Sequence, residues 1–83
     1  MQSVYINLTE LNDLQTRIAK FISIWVHEKK TQVPKKKIIS TMKKEGVLES
    51  TTIKSIEVLI KKGYIRKSYH RSSEAHYTQL RTI

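Results

Sequence analysis

The chain has 83 residues and no cysteine, so it is expected to form one small domain folded by apolar burial, without disulfides or a thiolate zinc site. Sixteen Lys and Arg stand against seven Asp and Glu, a net charge of +9 that destabilises a compact fold unless a polyanion neutralises it. No apolar run approaches the ~20 residues that span a bilayer, and MQSVYINLTE lacks the basic and apolar regions of a signal peptide, so a cytoplasmic protein (nuclear if eukaryotic) is expected.

Residues 1–7 read as an N-terminal arm and residues 8–83 as the domain. Asn7 followed by Glu10 has the form of a capping box, with Thr9 as a rival cap, and the first helix is expected to run to about Lys29. Leu11, Leu14, Ile18, Phe21, Ile22 and Trp25 recur at three- and four-residue steps and form its core stripe. Leu8, Ile24 and Val26 lie off that stripe and point to a second buried contact, a partner subunit or the back of a sheet.

Thr31-Gln32-Val33 is a short extended link, and Pro34 fits the first helical position, where its missing N–H costs nothing. The second helix carries Ile38, Ile39 and Met42 on one face and ends at Gly46, a left-handed cap. Ser50 caps a third helix, Thr51 to Lys62, with Ile53, Ile56, Leu59 and Ile60 as its core face and Gly63 as its stop. Tyr64 to Tyr69 reads as a strand with Ile65 inward, His70 to His76 as a loop, and Tyr77 to Leu80 as the returning strand. Tyr69 and Tyr77 are candidates to pair across that hairpin.

Charge divides the chain. Residues 1–28 carry a net of −1, whereas residues 29–83 hold fourteen Lys and Arg against Glu45, Glu49, Glu57 and Glu74, a net of +10. One part is near-neutral and apolar, and the other offers a basic surface.

The order helix, short strand, helix, tight turn, helix, basic hairpin resembles the winged helix-turn-helix family. The residues that carry the resemblance are Gly46-Val47, Ser50-Thr51, the Ile53/Ile56/Leu59 spacing and Lys61-Lys62-Gly63-Tyr64-Ile65. The chain departs from the usual pattern at Thr52, where a branched apolar residue is common. The resemblance implies an α+β fold, mainly α, of three helices plus a C-terminal β-hairpin wing. It implies double-stranded DNA as the partner and transcriptional regulation as the role.

The residues fit that expectation. On the third helix, Thr51, Lys54, Ser55, Val58 and Lys61 fall opposite the Ile53/Ile56/Ile60 arc at ~100° per residue. A helix enters the major groove, where Ser, Thr and Lys reach base edges or phosphates and a Thr or Val methyl meets thymine. Ser50 and Thr51 also open the helix, whose first amides accept a phosphate. Lys62, Arg66, Lys67 and Arg71 extend the basic surface into the hairpin, where an arginine suits a narrow minor groove. Lys35, Lys36 and Lys37 crowd three cations at a helix start, against the macrodipole, and a phosphate would relieve that. The competing reading of each group is a solvated polar face.

No catalytic site, metal site or cofactor is expected. There is no phosphate loop, nucleophile motif or carboxylate pair, and His70, Glu74 and His76 make a poor metal set. The rival functions are a site-marking accessory in plasmid or phage replication, conjugative transfer or partition, and a winged-helix protein-interaction module. A membrane partner is not expected. The apolar excess on the first helix predicts a homodimer or cooperative binding on repeated sites.

Overall fold

The computed structural model describes residues 11–69 and 74–81. They form three helices and three strands: α1 (Asp13–Lys29), β1 (Val33–Pro34), α2 (Lys35–Lys44), α3 (Glu49–Lys61), β2 (Ile65–Ser68) and β3 (His76–Gln79). The architecture is α+β and mainly helical. The strands make one antiparallel sheet in the order β1-β3-β2.

α1 begins later than the Asn7 or Thr9 signal predicts. Its cap is Asn12, whose backbone is extended. The Gln15 amide donates to Asn12 Oδ1 at 2.7 Å, and the Asn12 amide donates to Gln15 Oε1 at 3.2 Å. This is a complete reciprocal capping box. Residues 1–10, with the expected arm, Asn7 and Leu8, lie outside the described residues. The core stripe is observed at Ile18, Ala19 and Ile22, flanked by Leu14, Phe21 and Trp25. Val26 also packs against the core, which leaves Ile24, 56 % exposed, as the residue off the stripe.

Pro34 is not the first helical residue. Its ψ of 144° is extended, it ends β1, and it precedes α2 as the cap residue. Val33 pairs with Tyr77 and Pro34 with His76, so the link between α1 and α2 is an edge strand of the sheet. Proline is tolerated there because an edge strand can do without its N–H. The Lys35 amide continues the junction by donating to the Ala75 carbonyl at 3.0 Å.

Both helix-ending glycines behave as their positions require. Gly46 has φ 87° and Gly63 has φ 82°. The Val47 amide reaches back to the Met42 carbonyl and the Gly46 amide to Lys43, both at 3.0 Å. Tyr64 and Gly63 repeat that pattern on Leu59 and Ile60. Each is a Schellman closure, which needs a left-handed residue where only glycine is unstrained. The first reverses the chain between α2 and α3. The second turns α3 into β2.

α3 differs from its expected form in two ways. It starts at Glu49 with Leu48 as the cap residue and ends at Lys61, so Ser50 lies in its first turn rather than capping it. Its buried arc is Thr52, Ser55, Ile56 and Leu59, and Ile53 and Ile60 are half-buried flanks. Burying Thr52 costs little because its hydroxyl donates to the Leu48 carbonyl at 3.2 Å. Thr52 and Ser55 are short, and they face the elements on which α3 packs, α1, α2 and β2.

In the sheet, Ile65, Tyr77 and Val33 are buried and join Ile38, Met42, Ile56 and Leu59 in one core. Three other expectations shift. His76 opens β3 instead of closing a loop, Leu80 lies beyond β3 and is 52 % exposed, and Tyr77 pairs with Lys67 rather than Tyr69. The two tyrosines thus divide, with Tyr77 in the core and Tyr69 55 % exposed. Burial, then the neighbouring Tyr69 and Glu57, pushes the Tyr77 phenol above its ordinary value, so it remains neutral in the core.

Candidate nucleic-acid interface

The start of α2 presents Lys36 and Lys37 to solvent, with Lys35 half-buried. The anion expected there is already supplied by the chain. The Lys36 amide donates to Glu74 Oε2 at 2.9 Å, so a carboxylate from the segment before β3 closes the α2 N-terminus. Lys37 leans the other way. Its ammonium lies 5.9 Å from the centre of the Trp25 ring, which Lys29 also approaches at 5.0 Å. Phe21 packs against the same indole at 6.0 Å and a 53° tilt. Trp25 is therefore part of the α1 packing surface, and its buried Nε1–H has no acceptor among the described residues.

On α3, Ser50, Thr51, Lys54 and Lys61 are exposed, and so is Lys62 just beyond its end. Val58 is half-buried. Ser55 is 6 % exposed and belongs to the packed side, so it cannot reach a groove. The free face also carries Glu49 and Glu57, which interleave acid among the lysines. Arg66 and Lys67 are exposed on β2 and, as neighbours in a strand, point to opposite faces of the sheet. Lys67 sits 5.7 Å above the Tyr69 ring. Arg71 and His70 lie outside the described residues.

These groups are not one patch. Lys35, Lys36, Glu49, Tyr69 and Glu74 border a single open hollow of about 300 Å³. The hollow joins the α2 start, the α3 start and the β2–β3 end of the sheet. Lys61 and Lys62 lie at the other end of α3, about 20 Å away along a helix of 13 residues. Arg81 stands beside them, a basic residue that the sequence reading passes over. Its guanidinium covers the Tyr64 ring at 4.6 Å and donates to the Lys62 carbonyl at 3.3 Å. The signal for it was available in the pairing. Once β3 runs antiparallel to β2, the residue after Leu80 must return beside Gly63 and the end of α3.

Other features of the surface are structural. Arg17 of α1 forms an ion pair with Glu45 at the end of α2. His76 places Nδ1 2.9 Å from the Glu74 carbonyl, which fixes the segment that carries the Glu74 carboxylate. Among the described residues, no group of three His, Cys, Asp or Glu is placed to hold a metal ion. Among them too, no helix is long and apolar enough to cross a membrane. Compared with protein-family models, with curated proteins and with solved structures, the chain has no significant match in any of the three.

Proposed function

We propose that this chain is a small winged-helix protein that binds double-stranded DNA. In this reading α2 and α3 form the helix-turn-helix, α3 enters the major groove, and β2 and β3 are the wing. The observation that carries it is the convergence at one hollow of the α2 lysines, the α3 start and the end of the β2–β3 pair. A duplex laid there meets Lys35 and Lys36 on its backbone and Ser50, Thr51 and Lys54 on its base edges. Lys61, Lys62, Arg66 and Lys67 extend the contact along phosphate. The net of +10 in residues 29–83 favours a polyanion over other partners. The role that fits is transcriptional regulation, with site marking in replication, transfer or partition as its close alternative.

A protein-interaction module is the second reading. Glu49, Glu57 and Glu74 favour it, because they place carboxylates on the surface that a phosphate backbone would approach. A homodimer, or cooperative binding on repeated sites, remains part of the first reading. Its support in the described residues narrows to Ile24, since Val26 is used in the core.

Salt dependence separates the two. With about 5–8 phosphate contacts, the logarithm of duplex affinity should fall against the logarithm of salt with a slope of about −5 to −7. A flat response from low to physiological salt rejects the duplex and leaves the interaction module. Sedimentation with a site-length duplex then gives the stoichiometry. Two protomers on half-sites about 34 Å apart identify the dimer.

A further inference from the structure

We propose that Arg81 holds a backbone phosphate of the duplex, at a second contact point set apart from the hollow. The inference rests on the duplex-binding reading. It adds a residue that lies beyond β3, outside the helices and strands of the proposed motif.

Two guanidinium groups can be compared within the chain. Each stands beside a helix end closed by a left-handed glycine, Arg17 at the end of α2 and Arg81 at the end of α3. Arg17 pairs with the Glu45 carboxylate, so its charge is neutralised inside the domain. Arg81 is held by uncharged groups. Its guanidinium covers the Tyr64 ring at 4.6 Å and donates to the Lys62 carbonyl at 3.3 Å. Among the described residues no carboxylate pairs with it. Its mounting is firm, because Tyr64 belongs to the core and the amides of Leu80 and Arg81 donate to the Tyr64 carbonyl at 2.8 and 3.2 Å. The side chain itself is exposed. Arg81 is therefore a fixed, exposed cation whose charge the domain leaves unneutralised.

The fold asks less of this position than an arginine supplies. Lys61, in the last turn of α3, already provides the cation that favours a helix C-terminus. The Lys62 carbonyl needs only a donor, which a side-chain amide could offer. Arginine adds a full charge on a planar fork, with N–H groups left over for a second acceptor. Stacked on a ring, that fork gives up little freedom when it binds, since its orientation is already set. The acceptor that suits it is a phosphate, an anion whose oxygens match the fork two at a time. Lys61 is exposed and adds positive charge at the same corner. The carboxylate nearest to it along α3, Glu57, stands about 6 Å further back. Like charges gathered at one corner oppose the compact state, and a polyanion relieves them.

The test uses a duplex selected by the full chain from a random library, with each phosphate replaced in turn by an uncharged methylphosphonate. At one position the replacement should weaken binding to the wild type about fivefold at moderate salt, as expected for one lost phosphate contact. In Arg81→Gln the same replacement should change affinity by less than about twofold, and the salt slope should be shallower by about 0.9. Glutamine keeps an N–H for the Lys62 carbonyl, so a role confined to the fold would leave slope and phosphate sensitivity as in the wild type. The phosphate identified through Arg81→Gln should differ from the one identified through Lys36→Ala, because about 20 Å of helix separates the two cations. The proposal is overturned if Arg81→Gln keeps the wild-type slope, if no phosphate loses its sensitivity in that variant, or if the two phosphates coincide. Absence of any salt-dependent duplex binding by the wild type overturns the wider reading as well, and the wild-type titration alone tells that failure from the narrower one.

Discussion

The first turn of α1 is closed by two side chains three residues apart, and the first turn of α2 by a carboxylate 38 residues away. Asn12 and Gln15 form their box from local sequence, before any tertiary contact exists. Glu74 reaches the Lys36 amide only when β3 has paired with β1 and brought its leading segment alongside. The local cap stabilises one helix. The distant cap also ties α2 to the sheet, and it puts a negative charge among Lys35, Lys36 and the hollow they border. Removing each cap should therefore have different consequences, although both serve the same kind of helix end.

The largest effect is expected at Glu74. Glu74→Ala removes both the hydrogen-bond acceptor and the charge at the α2 start, and should lower stability by about 1–2 kcal/mol in urea unfolding. Glu74→Gln keeps an oxygen for the Lys36 amide but not the charge. It should lose less stability and bind duplex about three- to fivefold more tightly at low salt, as a carboxylate close to phosphate is removed. If Glu74→Gln binds more weakly, the carboxylate contributes to recognition and does not oppose it.

Asn12→Ala gives the contrast. It should cost about 1 kcal/mol of stability through the lost box and leave duplex affinity unchanged within error. An equal loss of affinity would mean that α1 contributes to the interface. The charge comparison runs along the same two helices. Lys36→Ala should reduce the salt slope by about 0.9 and weaken all duplexes alike, whereas Lys20→Ala, exposed on α1, should leave the slope unaltered. Matching slopes for the two variants would break the assignment of a basic binding side and a neutral packing side.

The same division between local and distant causes explains what could be read from the residues alone. Gly46 and Gly63 were legible because a left-handed helix end demands glycine, and both expected ends lie within a residue or two of the observed ones. The α1 stripe was legible because its period is long and strong. The face of α3 was not. Hydropathy places Ile53 and Ile60 at its centre, but the helix buries Thr52, whose hydroxyl finds a backbone acceptor, and Ser55 beside it. That rotation removes Ser55 from the candidate interface and exposes Glu57. The Glu74 cap depends on the pairing of β1 with β3, which no local pattern encodes, whereas the return of Arg81 to the end of α3 follows from the hairpin that the sequence does suggest.

The finest test of the comparison lies where α1 and α2 meet. Trp25 is the chain's one tryptophan, and lysines from two helices approach it: Lys29 at the end of α1 and Lys37 in the first turn of α2. Each ammonium over this half-buried ring stabilises the fold by about 0.5–1 kcal/mol, so Lys29→Ala and Lys37→Ala should cost similar small amounts. Their effects on binding should part. A phosphate beside the α2 start offers Lys37 a charged partner in place of a ring face, and the longer-range attraction wins as the duplex approaches. The indole then loses one of its two cations, and its emission changes on titration with duplex. Lys37→Ala should abolish most of that change and reduce affinity several-fold, about one phosphate contact at moderate salt. Lys29→Ala should retain the change and nearly all the affinity. An emission response that survives in Lys37→Ala would place the moving charge elsewhere, and the α2 start would then be a structural junction with no part in holding the backbone.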